Sequence, residues 1–280
     1  MSDPLVSTAW LAEQLGDPGV QVVDATWYMP TEDGSGRADY IAGHIPGAVF
    51  FDIDAIADHA TDLPHMLPTP EAFAAATGAL GLRREATIVV YDGRKMFSAP
   101  RVWWALRAMH FPKVVVLDGG LTAWRDEGRP IETGEVALAP SQLSPDFDAA
   151  LVRDIASVRK HLAQGTARLV DARSAARFRG EAPEPRPEVR SGHMPGARNL
   201  PWNTLVDDGG KLRSASELRA AFNGAGLDLD APIVATCGSG VTAAVLALGL
   251  ARLGRPDTPV YDGSWTEWGG RTDTDVVTGP

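Results

Sequence analysis

The chain holds one cysteine, Cys237, where an apolar run, Pro232-Ile233-Val234-Ala235-Thr236, meets a helix-forming run, Val241-Thr242-Ala243-Ala244-Val245-Leu246-Ala247-Leu248. Between the two lies Cys237-Gly238-Ser239-Gly240-Val241-Thr242. A strand that ends in a glycine-rich turn and feeds a helix leaves backbone N–H groups pointing into the turn, and these favour negative charge on a sulfur held there. That pattern describes a nucleophile. The plain alternative is a small, buried, inert cysteine.

What could position such a sulfur follows from composition. With 44% apolar and 22% charged residues over 280 positions, a packed core is expected, in one large domain or two ordinary ones. A single cysteine rules out an intramolecular disulfide and fits a reducing compartment. The net charge of −10 argues against a nucleic-acid or anionic-membrane surface, which needs clustered Lys and Arg. Met1-Ser2-Asp3-Pro4 does not read as a secretory signal, and the apolar stretch from Val241 to Leu250 is too short to span a bilayer. The expectation is a cytoplasmic protein.

The chain also repeats itself at a period of about 145 residues, the mark of a tandem duplication. Val22-Val23-Asp24-Ala25-Thr26 returns as Leu169-Val170-Asp171-Ala172-Arg173, and Gly43-His44-Ile45-Pro46-Gly47-Ala48 as Gly192-His193-Met194-Pro195-Gly196-Ala197. Val116-Leu117-Asp118-Gly119-Gly120-Leu121-Thr122-Ala123-Trp124 returns as Val260-Tyr261-Asp262-Gly263-Ser264-Trp265-Thr266-Glu267-Trp268. The aperiodic stretch from Ile131 to about Asp148, rich in Pro, Ser and Gly, reads as a linker. The expected organisation is residues 1–135, a linker at 136–148, and residues 149–280.

Within each half, short β-branched runs such as Gln21–Asp24, Ala86–Tyr91 and Lys113–Leu117 alternate with helical runs. Ser7–Leu15 and Ser214–Arg219 both open on a serine cap. This predicts an α/β fold, each half a parallel sheet covered by helices. Ligands bind such sheets beyond the carboxyl ends of the strands, where Cys237 is expected. The glycines and prolines around His44 and His193 predict turns, and both histidines read as turn-fixing hydrogen-bond residues.

Aligning the copies places Asp92 opposite Cys237. An aspartate cannot act as a sulfur nucleophile, so the first copy is expected to be inactive and the second catalytic. The tandem copies, the aspartate in the first and the cysteine turn in the second resemble the two-domain rhodaneses, a family of sulfurtransferases, from Trp10 to about Trp268. The loop Cys237–Ala243 is similar to that of the family's 3-mercaptopyruvate branch. Thiosulfate-specific relatives carry cationic residues directly after the cysteine, where this chain has Gly238 and Ser239.

The resemblance implies a Cys237 persulfide fed by 3-mercaptopyruvate, with pyruvate released and the sulfur handed to cyanide, a small thiol or a dithiol protein such as thioredoxin. It implies two substrate arginines, Arg177 and Arg186, in the stretch Arg177–Arg186, with Arg179 and Arg190 as bystanders. A guanidinium fork suits a planar carboxylate. Gly238, Gly240, Val241 and Thr242 would frame the bound substrate. Asp54, His65 and Ser239 match the family's proton relay, which would let the second copy's loop borrow groups from the first. Simpler roles stand beside these: surface ion pairs for the arginines, a helix cap for Asp54, loop packing for His65, a tight turn for Ser239. No metal-ligand spacing occurs, and neither metal nor organic cofactor is implied. Thiosulfate:cyanide transfer and a non-enzymatic persulfide carrier are the alternatives. A cysteine-dependent phosphatase or arsenate reductase would need an arginine closing the loop, where Thr242-Ala243-Ala244 follows instead.

Overall fold

The computed structural model describes residues 3–280, which divide into two compact units. The first holds a five-stranded parallel sheet of β1 (Leu5–Val6), β2 (Val20–Asp24), β3 (Val49–Phe50), β4 (Thr87–Tyr91) and β5 (Val114–Leu117), in the order β1-β5-β4-β2-β3. The second repeats it with β6 (Val152–Arg153), β7 (Arg168–Asp171), β8 (Arg198–Asn199), β9 (Ile233–Thr236) and β10 (Val260–Tyr261), in the order β6-β10-β9-β7-β8. The Val- and Ile-rich centres of these sheets are buried on both faces, as parallel strands flanked by helices must be.

The first unit's helices are α1 (Thr8–Gln14), α2 (Gly36–Ala42), α3 (Pro70–Ala79), α4 (Ala99–Ala108) and α5 (Gly120–Asp126). The second's are α6 (Ile155–Gln164), α7 (Ala175–Arg179), α8 (Ala215–Gly224), α9 (Ala243–Arg252) and α10 (Ser264–Gly270). The serine caps work as predicted: Ser7 Oγ accepts the Trp10 N–H at 3.1 Å, and Ser214 with Glu217 closes a capping box on α8. Among the described residues no helix is long and apolar enough to cross a membrane.

Duplication extends to the cores. In the first unit Leu11, Val22, Ile45, Ala48, Val89, Leu121 and Trp124 share one cluster. Their counterparts Val158, Leu169, Met194, Ala197, Val234, Trp265 and Trp268 share the other. The histidine turns match as well. His44 Nδ1–H donates to the Tyr40 carbonyl at 2.8 Å with its ring stacked on Tyr40, and His193 Nδ1–H donates to the Phe178 carbonyl at 2.9 Å with its ring stacked on Phe178. Each forms an isolated antiparallel bridge, His44 with Glu132 and His193 with Val277. Both imidazoles fix turns.

Domain boundaries differ from the sequence expectation in two ways. The stretch 136–148 forms no helix or strand, but it belongs to the first unit rather than hanging between the two. Ser141 N–H donates to the Gly78 carbonyl at 2.9 Å, Asp148 N–H to Ala108 at 2.7 Å, and Arg84 Nη2 to Ser144 at 2.9 Å. In addition, Ala60–Met66 belongs to the second unit and Val206–Leu212 to the first. The latter is a tight antiparallel turn whose Leu212 N–H donates to the Asp118 carboxylate at 2.9 Å. Long-range contacts of this kind leave no local periodicity to read.

Candidate active site

Strand β9 delivers Cys237 to the carboxyl end of the second sheet, where the thiol is 2% exposed. The turn 238–242 then swings into α9, with Gly240 at φ +80, a left-handed conformation that costs glycine little. The turn is fastened to the start of α10. Cys237 N–H donates to Ser264 Oγ at 3.2 Å, and the Trp265 N–H donates to the Cys237 carbonyl at 2.9 Å. Thr266 donates twice to the Gly238 carbonyl, from its N–H at 2.8 Å and its hydroxyl at 2.7 Å. Ser264 is fully buried at φ +49, a conformation rare outside glycine, and its hydroxyl donates to the Tyr261 carbonyl at 2.8 Å. The backbone of Cys237 is thereby held by a second element.

Arg177, on α7, reaches this turn. A Cβ at Gly238 would lie 3.0 Å from Arg177 Nη2, so the glycine makes room for the guanidinium. Behind Arg177 runs a row of alternating charges. Asp171, at the end of β7, accepts from Arg173 Nη2 at 2.7 Å and Nε at 3.0 Å. Arg173 Nη1 donates to Glu184 Oε1 at 2.8 Å, and Glu184 Oε2 accepts from Arg177 Nη2 at 2.5 Å. Asp171, Arg173 and Glu184 are almost wholly buried, while the Arg177 side chain is 24% exposed. Burial opposes the Arg173 charge, but the Asp171 and Glu184 carboxylates more than offset it and raise its pKa. Arg173 also lies over the Trp265 ring at 4.4 Å.

Among the residues singled out in sequence, Cys237, Gly238, Ser239, Gly240, Val241 and Thr242 form one continuous turn, and Arg177 joins it. Arg186 lies partly exposed in the same unit. His65 also belongs to this unit; it is 7% exposed and holds φ +61, again unusual outside glycine. Asp54 belongs to the first unit, where its Oδ2 accepts the Trp27 indole N–H at 2.8 Å. Arg179 meets Glu181 on the surface, and Arg190 donates to the carbonyls of Gly269 and Thr274. Sequence reasoning missed Arg173, Glu184 and Ser264. The recurrence of Val-Asp at the end of β7 was the available signal for the first.

The corresponding turn of the first unit is closed by its own carboxylate. Asp92 Oδ1 accepts the N–H groups of Arg94 at 2.7 Å and Met96 at 3.0 Å, and Oδ2 those of Ser98 at 3.0 Å and Ala99 at 2.8 Å. Four converging backbone donors hold the carboxyl oxygens at the strand end, the arrangement of an acceptor-binding nest. Arg94 pairs with Glu32 through both terminal nitrogens, at 3.0 and 2.8 Å, and lies over the Tyr28 ring at 4.0 Å.

Two tandem α/β units, each a five-stranded parallel sheet, with a buried carboxyl in the turn at the strand end of the first and a buried cysteine in that of the second, define a duplicated cysteine-loop class of protein. The chain belongs to the rhodanese-like domain family, whose pattern matches residues 7–127 and again 154–271. It is 47% identical over 272 residues to the 3-mercaptopyruvate sulfurtransferase of Escherichia coli strain K12, covering 97% of this chain and 96% of the relative. It is 44% identical over 296 residues to a mitochondrial thiosulfate/3-mercaptopyruvate sulfurtransferase of Arabidopsis thaliana, covering 98% of this chain and 78% of the relative. The crystal structure of the Escherichia coli 3-mercaptopyruvate enzyme matches with a TM-score of 0.87 at 44% identity, covering 94% of this chain and 99% of that one.

Proposed function

We propose that the chain is a 3-mercaptopyruvate sulfurtransferase acting through a Cys237 persulfide. The observation that carries this reading is the Arg177 guanidinium set against Gly238, next to the buried thiol at the strand end. A keto-acid carboxylate on Arg177 and Arg186 brings its β-sulfur to Cys237. The thiolate attacks that sulfur, a sulfur–sulfur bond forms and the carbon–sulfur bond breaks, its electron pair leaving as the pyruvate enolate. The substrate thiol's proton goes to the enolate carbon and the persulfide remains anionic, held by the N–H groups of the turn that includes Gly238, Gly240, Val241 and Thr242. Cyanide, a small thiol or a dithiol protein such as thioredoxin then attacks the outer sulfur and restores the thiolate.

Ser239 and His65 serve the proton transfer, and the resemblance adds Asp54 as the carboxylate partner. The first unit transfers no sulfur, because Asp92 fills its turn with a carboxylate. One cysteine that must return to a reduced thiolate in every cycle supports a reducing compartment such as the cytoplasm.

Steady-state transfer to cyanide from 3-mercaptopyruvate and from thiosulfate, measured side by side, tests the proposal. A clear kcat/KM preference for mercaptopyruvate is expected; a preference for thiosulfate overturns the donor assignment. Arg177→Gly or Arg186→Gly should raise KM for the keto acid by about 10- to 100-fold, the value of a charge-assisted bidentate contact. Equal losses with both sulfur sources would make the arginines structural. His65→Ala should lower kcat with mercaptopyruvate by about 100-fold or more, the usual worth of a placed acid or base. An unchanged kcat removes the histidine from the relay.

A further inference from the structure

We propose that Glu184 is a positioning residue that presents Arg177 to a planar carboxylate and tunes the site to a single negative charge. The inference rests on the sulfurtransferase reading above and adds the device that selects its sulfur source. Glu184 grips one edge of the guanidinium, Oε1 accepting from Nε at 3.3 Å and Oε2 from Nη2 at 2.5 Å. A guanidinium has two such forks, and filling the Nε/Nη2 fork turns the other, Nη1/Nη2, outward as the one presented to a ligand. That outer edge is the one near the turn: Nη2 and Nη1 lie 3.0 and 3.9 Å from where a Gly238 Cβ would be.

Glu184 cannot swing away, because Oε1 also accepts from Arg173, which is itself anchored to Asp171 and to the Gly192 carbonyl at 2.8 Å. The orientation of Arg177 is therefore inherited from the end of β7. The same row fixes the charge. Asp171, Arg173, Glu184 and Arg177 sum to zero, so Arg177 offers hydrogen-bond geometry with its charge already balanced. A monoanionic keto acid needs that geometry. A dianion such as thiosulfate needs uncompensated positive charge, and the buried Glu184 carboxylate, bonded directly to the guanidinium, opposes it.

Equilibrium binding of pyruvate and of sulfate separates these contributions, measured on Cys237→Ser protein with and without changes at Glu184. Glu184→Gln keeps the shape and removes the charge; it should weaken pyruvate and tighten sulfate, moving their affinity ratio by about tenfold. Glu184→Asp keeps the charge but draws the carboxylate back from the fork; pyruvate should weaken while sulfate stays as it was. In the enzyme with Cys237 intact, both variants should raise KM for mercaptopyruvate with kcat held within about twofold, since the contact serves binding. An unchanged ratio in Glu184→Gln, or equal loss of both anions, overturns the proposal. So does wild-type pyruvate affinity in Glu184→Asp, the variant that decides the matter should Glu184→Gln not fold. Absence of mercaptopyruvate turnover by the wild type would instead overturn the functional reading, and the binding ratio would still judge Glu184.

Discussion

Cys237→Ser is expected to reduce sulfur transfer by at least about a thousandfold with any donor, the scale seen when a covalent nucleophile is removed. A hydroxyl in this place can hydrogen-bond but cannot carry sulfur as a persulfide, so no residual ping-pong route remains. The fold should survive. The backbone contacts that fix position 237, its N–H to Ser264 and its carbonyl from Trp265, do not involve the side chain. The exchange removes little volume from a site already 2% exposed, and a stability change of about 1 kcal/mol is expected. The direct readout is mass: wild-type protein treated with mercaptopyruvate should gain one sulfur atom, lose it on adding cyanide, and show neither change in the serine variant. Turnover by the variant above about 1% of wild type would place the nucleophile elsewhere.

Much of this arrangement was legible from local pattern. Val20–Asp24, Thr87–Tyr91 and Ile233–Thr236 announce themselves as β-branched runs between helices, and repetition of three motifs gave two units. The cysteine turn followed because glycine spacing between strand and helix is a local property. The two-residue edge strands β1, β3, β6 and β8 were not legible, since such short segments become strands only by pairing with a formed sheet. Nor was the placement of Ala60–Met66 and Val206–Leu212, which depends on contacts far apart in sequence. Glu184 shows a third kind of blindness. In the run Glu181-Ala182-Pro183-Glu184-Pro185-Arg186 two acids look alike, and only the fold buries one between two arginines while leaving Glu181 on the surface.

Asp92→Ala is expected to destabilise the fold more than any change at Cys237, Arg177, Arg186, His65 or Glu184. The carboxylate receives four backbone N–H groups in a site only 1% exposed. Alanine would strand all four, and each buried, unmet donor costs about 1–3 kcal/mol. Even with partial relaxation or an entering water, the loss is several kcal/mol, a large part of the roughly 5–15 kcal/mol that holds a domain folded. The pH dependence follows from the same geometry. Burial pushes the Asp92 carboxyl above its ordinary range, against the downward pull of the N–H groups of Ala99, Ser98, Arg94 and Met96. A carboxyl that titrates higher in the folded state binds its proton more tightly there than in the unfolded chain. Its contribution is therefore greatest at low pH and is lost as pH rises from the ordinary aspartate value through the raised one. Asp92→Asn, which cannot ionise, should flatten that part of the stability profile while sacrificing the donors its amide nitrogen cannot accept. Urea unfolding at several pH values reads both effects, with Cys237→Ser as the control that leaves the first turn intact. An Asp92→Ala midpoint close to wild type would mean that the turn collapses onto other acceptors and that the carboxylate is not what organises it. A midpoint shifted far down would establish the Asp92 carboxyl as the group that organises the first turn, at the position that aligns with Cys237 in the second.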